Sequence, residues 1–171
     1  MTSSNKAIYA ASLDPITNGH LWVIEQGMRL FKDLVVAVGI NPAKSGKYFF
    51  NEKERVELAK SCVPEQIPVM AIGPLFLVDF AIRENANFLI RGARNISDFV
   101  AEANMAEMNR KMAETRGFSL ETIILVPPYE VSMISSSFVK SLLGYEGCKK
   151  EIEQYVPKQI ADALFLKGTS K

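Results

Sequence analysis

Residues 6–40 read KAIYAASLDPITNGHLWVIEQGMRLFKDLVVAVGI, and the architecture unfolds from this stretch. Lys6–Ser12 (KAIYAAS) is a short apolar run and predicts a strand. Asn18–Phe31 spaces Leu21, Ile24, Met28 and Phe31 along one helical face, so it predicts a helix. Leu34–Ile40 (LVVAVGI) is apolar throughout and rich in valine, as a strand covered on both sides must be. Between the first strand and the helix lies SLDPITNGH, Ser12 to His20, a polar loop with Gly19 at the junction.

The same alternation continues along the chain. Asn51 and Glu54 resemble a capping box that opens a helix reaching about Val63. Ile67–Gly73 predicts a third strand and Phe76–Glu84 a helix. Phe88–Gly92 (FLIRG) predicts a fourth strand. Ser97 is suited to cap a long helix that Gly117 ends. Glu121–Val126 (ETIILV) predicts a fifth strand, Ser136–Leu143 a short helix, and Pro157 the first turn of a C-terminal helix at about 157–167. Five such repeats with near-continuous apolar strands predict one α/β domain over residues 1–171, a doubly wound five-stranded parallel sheet with helices on both faces.

Net charge is +1, so nothing in the overall balance favours nucleic acid or an anionic membrane, and cations that bind an anion must be clustered locally. No apolar run is long enough to span a bilayer and the first residues do not read as a signal peptide, so a cytoplasmic protein is expected. Cys62 and Cys148 lack metal spacing and read as reduced thiols.

Open parallel sheets bind ligands beyond the carboxyl ends of their strands. There the sequence places Ser12 to His20, then Lys44 within NPAKSGK, then Leu77, then Arg91 to Arg94, then Val131 to Ser137. Together these cations, hydroxyls and one histidine suit a polyphosphate. Asn18 reads equally as a helix cap, Arg91 as the partner of Asp98 or Glu102, and Ser135–Ser137 as an N-cap cluster. Met105, Met108 and Met112 read as core or subunit contact. GINPAKSGKY lacks the first glycine and the final Ser/Thr of a P-loop, and no GxGxxG follows the first strand. One histidine with two distant cysteines excludes the common zinc spacings, and no serine nucleophile elbow appears.

Ser12-x-x-Pro15-x-x-x-Gly19-His20, with Ile134-Ser135-Ser136-Ser137 after the fifth strand, resembles the nucleotidylyltransferase superfamily. The fuller set DPITNGH, NPAK, LIRGAR and MNRKM resembles the bacterial phosphopantetheine adenylyltransferases, from about Ala7 to Pro157. The resemblance implies a Rossmann-like domain that joins ATP and phosphopantetheine to give dephospho-coenzyme A and pyrophosphate. It implies Mg²⁺ carried with ATP with few or no direct protein ligands, a hexamer, and coenzyme A as feedback inhibitor. By position it implies catalytic roles for His20, Lys44 and Arg94, and an acceptor site of Ser12, Lys44, Leu77 and Arg91. The ATP site would draw on Ser12, Leu13, His20, Gly92, Ala93, Arg94, Glu102, Val131, Ser132, Met133, Ile134, Ser135, Ser136 and Ser137. The chain departs from the family at Ala11, where glycine is usual, and at Leu13 and Val131, where aromatic residues are usual. Ala11 would restrict a backbone that needed positive φ, and Leu13 and Val131 bear on adenine packing. Competing readings are a nucleotidylyltransferase for another phosphorylated acceptor, a non-catalytic nucleotide sensor, and a structural scaffold.

Overall fold

A computed structural model describes residues 5–40 and 46–168. Its sheet is all parallel: β1 (Lys6–Ala11), β2 (Asp33–Val38), β3 (Val69–Ala71), β4 (Phe88–Gly92) and β5 (Glu121–Leu125), in the order β3-β2-β1-β4-β5. Strand order therefore reverses between β1 and β4, and the crevice at their carboxyl ends is where such a sheet receives its ligand. The register sets Ala7 beside Phe88 and Leu34, and Ala11 beside Val38.

Because side chains alternate along a strand, β1 feeds two cores. Ala7 and Tyr9 face α1 (Asn18–Leu30), α2 (Glu52–Lys60) and the C-terminal helices α6 (Ser136–Ser141), α7 (Cys148–Ile152) and α8 (Lys158–Gly168). Ile8 and Ala10 face α3 (Leu77–Arg83) and the end of α4 (Ile96–Glu114). Helices thus cover both faces, as the alternation predicts. A four-residue helix, α5 (Tyr129–Ser132), completes the chain order.

Several elements differ from the sequence-based expectation. The buried face of α1 is Val23, Ile24 and Gly27, whereas Leu21 and Met28 are only partly buried. Strand β3 is shorter than expected. It begins after Pro68, which has no N–H to donate and enters the ladder only as an acceptor, from Val36 N at 2.9 Å. Helix α4 is capped by Asn95, whose side chain accepts from Asp98 N at 2.8 Å, rather than by Ser97. The predicted capping box of α2 is present, with Asn51 and Glu54 exchanging bonds of 2.7 and 2.9 Å. Of the 19 residues of α4 only Ala113 is buried. Met112 packs against the core, whereas Met105 and Met108 are exposed, as are Ile96, Phe99 and Val100 on the same helix, so those two methionines are not core of this chain.

Candidate active site

The loop after β1 is built from the inside out. Leu13 takes φ 47° and drives a fully buried side chain into the core. A left-handed conformation costs a non-glycine residue roughly 1–2 kcal/mol, and burial of the leucine offsets it. Positive φ therefore falls at Leu13 and not at Ala11, which fits its strand without a glycine. Nor is the Leu13 side chain available to stack on adenine, so this residue offers a ligand only its backbone. Asp14 follows, 2% exposed and joined by a cis bond to Pro15. Its carboxylate accepts from Phe49 N at 3.0 Å and Phe50 N at 2.8 Å, and pairs with Lys140 Nζ at 2.6 Å. One buried carboxylate thus ties the loop after β1 to the segment before α2 and to α6.

His20 stands in the first turn of α1. The backbone N–H of Thr17 donates to its Nδ1 at 3.0 Å, and Thr17 Oγ1 lies 2.9 Å from the same nitrogen. Nδ1 is therefore the lone-pair nitrogen, and the ring proton sits on Nε2. Thr17 is itself fully buried, so the imidazole is held by a rigid partner.

Gly19 packs against the second motif. A Cβ there would meet the carbonyl oxygen of Ile134 at 3.3 Å, so the absence of a side chain lets the ISSS segment lie directly on the start of α1. The three serines then divide their labour. Ser135 caps α6 by accepting from Phe138 N at 3.1 Å. Ser136 Oγ donates to Pro15 O at 2.8 Å, binding α6 to the first loop. Ser137 is exposed. Val131 and Ser132 are half-buried on α5, where Ser132 Oγ donates to Tyr129 O at 2.8 Å, and Met133 is exposed. Asn18 has a structural task, its amide donating to Gln154 O at 3.1 Å and its backbone N–H to Tyr155 O at 2.9 Å.

Across the crevice, β4 presents Arg91. Its guanidinium makes a forked pair with Glu102 of α4 at 2.7 and 2.9 Å and also bonds Ala10 O. Burial works against this charge, but the hydrogen bonds it donates to Glu102 and the negative charge of that carboxylate hold the guanidinium above its ordinary value. The alternative of an ion pair with Glu102 is thus realised. Arg94 pairs with Asp98 at 2.7 Å and is exposed; that hydrogen bond holds the Asp98 carboxyl below its usual range. Gly92 is needed for packing, since a Cβ would sit 3.0 Å from Val23 Cγ2. Ala93 is buried and its N–H is donated to Leu125 O at 2.9 Å, so neither offers a side chain to a nucleotide. Leu77 is half-buried at the start of α3, beside exposed Leu75 and Phe76. Lys44 lies outside the described residues.

Sequence patterning missed two contributors, Lys140 and Arg55. Lys140 carries no local signal because its partner Asp14 is 126 positions away. Arg55 is 2% exposed, and one of its nitrogens donates to Ser12 O at 2.6 Å and Gly39 O at 2.8 Å. An arginine in a polar helix such as ERVELAK reads as solvated, and nothing local announces its burial. Among the described residues, no three His, Cys, Asp or Glu side chains gather as a metal-binding group, and no helix is long and apolar enough to cross a membrane.

Residues 8–142 match the family model described as cytidylyltransferase-like. The phosphopantetheine adenylyltransferase of Neisseria meningitidis serogroup C is 35% identical over 159 residues, covering 93% of this chain and 91% of that protein. The phosphopantetheine adenylyltransferase of Chromobacterium violaceum is 38% identical over 157 residues, covering 91% and 92%. Among solved structures, nicotinic acid mononucleotide adenylyltransferase of Plasmodium falciparum superposes with a TM-score of 0.66 over 95% of both chains at 17% identity, a likeness of fold.

Proposed function

The chain belongs to the cytidylyltransferase-like family, and from that premise we propose that it is a phosphopantetheine adenylyltransferase acting in the cytoplasm. It transfers the adenylyl group of ATP to phosphopantetheine, giving dephospho-coenzyme A and pyrophosphate. The match to enzymes of that name over nearly the whole chain supports the substrates. The observation that carries the chemistry is the joining of His20 and the ISSS segment at Gly19, beneath the crevice between β1 and β4.

The acceptor phosphate is already a nucleophile near neutral pH, so neither a covalent intermediate nor a strong base is required. A phosphate oxygen of the acceptor bonds to the α-phosphorus as the α–β bridging bond breaks and pyrophosphate leaves in line. Catalysis is then placement of two anions and stabilisation of charge on the α-phosphoryl oxygens. His20 serves as donor through Nε2–H, because Thr17 holds Nδ1. Ser12 and the backbone of Leu13 border the acceptor and the nucleotide, and Leu77 packs against the pantetheine arm. Lys44 and Arg91 hold the acceptor phosphate. Arg91 and Arg94 reach the ligands by exchanging Glu102 and Asp98 for phosphate oxygens. Ser137 and the backbone at the start of α6 receive the leaving pyrophosphate. Mg²⁺ enters with ATP as part of the substrate. The exposed apolar face of α4 supports assembly with further copies, a hexamer by resemblance, with coenzyme A as feedback inhibitor.

Pyrophosphate release with ATP, Mg²⁺ and phosphopantetheine tests the assignment. Release that depends on phosphopantetheine, with dephospho-coenzyme A as product, is expected. His20→Ala should lower kcat by about 10²–10³-fold while ATP binding changes little. An unchanged kcat removes His20 from the mechanism, and release only with another phosphorylated acceptor overturns the substrate.

A further inference from the structure

Arg55 is the most deeply buried cation among the described residues, 2% exposed and among the largest fully buried side chains. Its surroundings are not those of a structural ion pair. No carboxylate lies within ion-pair distance of it among the described residues, and its Nε is buried without a hydrogen-bond partner. Tyr48 offers a ring face 4.4 Å from the guanidinium carbon. The remaining bonds go to two backbone carbonyls, Ser12 O and Gly39 O. A buried charge without a counter-ion is costly to keep, so its placement calls for a role.

That role follows from where the two carbonyls lie. The ladder between β1 and β2 ends with Gly39 N donating to Ala11 O at 2.9 Å. Beyond it no further ladder bond joins these two strands among the described residues. One Arg55 nitrogen takes over there and joins both chains at once. In a planar trans peptide the N–H points opposite to the C=O. Drawing Ser12 O toward the guanidinium turns Leu13 N–H away from it. Drawing Gly39 O inward turns Ile40 N–H outward in the same way, four positions before Lys44 in the sequence.

We propose that Arg55 is a positioning residue that sets the Ser12–Leu13 and Gly39–Ile40 peptides, so that two backbone donors face the phosphates, and that its uncompensated charge adds to the pull on those anions from below. The proposal rests on the adenylyl-transfer reading for its kinetic consequences, but not for its binding ones. Two variants separate its parts. Arg55→Met keeps much of the volume and removes both the charge and the bridge to the two carbonyls. Arg55→Lys keeps the charge but replaces the rigid planar guanidinium, which fixes the directions of that nitrogen's two N–H bonds, with a freely rotating ammonium.

Steady-state kinetics are measured well below each variant's Tm, with inorganic pyrophosphate binding measured separately by calorimetry. Arg55→Met is expected to lose about 10²-fold in kcat, the scale of an ångström-level misplacement, and about tenfold in pyrophosphate affinity. Arg55→Lys is expected to keep pyrophosphate affinity and KM within about threefold, while kcat still falls by more than tenfold. A merely structural arginine would lower Tm and leave kcat of the folded protein untouched, and that result overturns the proposal. If Arg55→Met does not fold, Arg55→Lys decides alone, and an unchanged kcat overturns it. If the unmodified protein releases no pyrophosphate with phosphopantetheine, the functional reading fails separately. Pyrophosphate titration then decides for Arg55, with equal affinity in the unmodified and Met proteins counting against it.

Discussion

Two arginines sit at the carboxyl edge of the sheet under opposite regimes. On the β1–β2 side, Arg55 is sealed from solvent, meets no carboxylate among the described residues and spends its bonds on backbone carbonyls. On the β4 side, Arg91 is about a quarter exposed and is matched in a forked pair by Glu102, with Arg94 and Asp98 a turn beyond. The first region is a frame, in which the buried charges of Arg55 and of Asp14 with Lys140 hold loops in place. The second is a set of exchangeable pairs, in which a phosphate competes with a carboxylate for a guanidinium. Rigid donors suit the atoms undergoing reaction, and exchangeable cations suit ligands that must enter and leave.

If the frame is structural, Asp14→Ala should be the most damaging change to stability. It strands Lys140 and leaves the N–H groups of Phe49 and Phe50 without their acceptor. Breaking a buried pair in this way costs about 3–5 kcal/mol, read as a lower urea midpoint at unchanged m-value. Asp14→Asn restores an acceptor for the two N–H groups and should lose less; equal stability of Asp14→Ala and the unmodified protein would dissolve the distinction between frame and exchangeable pairs.

Glu102→Gln probes the other side. Here the expected change is in binding, with inorganic pyrophosphate held several-fold more tightly once Arg91 is released, and Tm shifted by only a few degrees. A collapse of stability instead would move Arg91 and Glu102 into the frame.

The smallest effect belongs to Asp98→Asn. Its hydrogen bond to Arg94 holds the Asp98 carboxyl below its usual value, so the pair's contribution is present above the unfolded carboxylate range near pH 4 and is lost as pH falls further. Arg94 is well exposed, so solvent screening keeps this contribution small. The acid limb of the stability curve should shift slightly and the neutral plateau hardly at all; a large loss at pH 7 would show that this pair is also part of the frame.

How much of this was legible depends on the range over which each feature is encoded. The five strands, the capping box at Asn51 and the GH and ISSS motifs were readable, because period, caps and motif spacing are set within a few residues. The cap of α4 was misplaced by two residues because Asn95 and Ser97 are both good cap residues, and only the backbone path selects between them. Helices α5 and α7 went unseen because four or five residues carry too little periodicity to detect. The ATP-site residues Gly92 and Ala93 were placed beside the nucleotide by resemblance, whereas their own geometry is that of packing and a backbone link.

Local order, the alternation of strand with helix and the kinds of side chain delivered to the carboxyl edge were all written in the linear chain. Partnership was not. Asp14 meets Lys140, Gly19 meets Ile134, and Arg55 meets both Ser12 and Gly39 only after the strands have taken the order β3-β2-β1-β4-β5. Such contacts join positions from 16 to 126 residues apart, and no short-range preference encodes them. Burial then determines their consequence, because a charge removed from water must find a partner in whatever the fold has brought beside it.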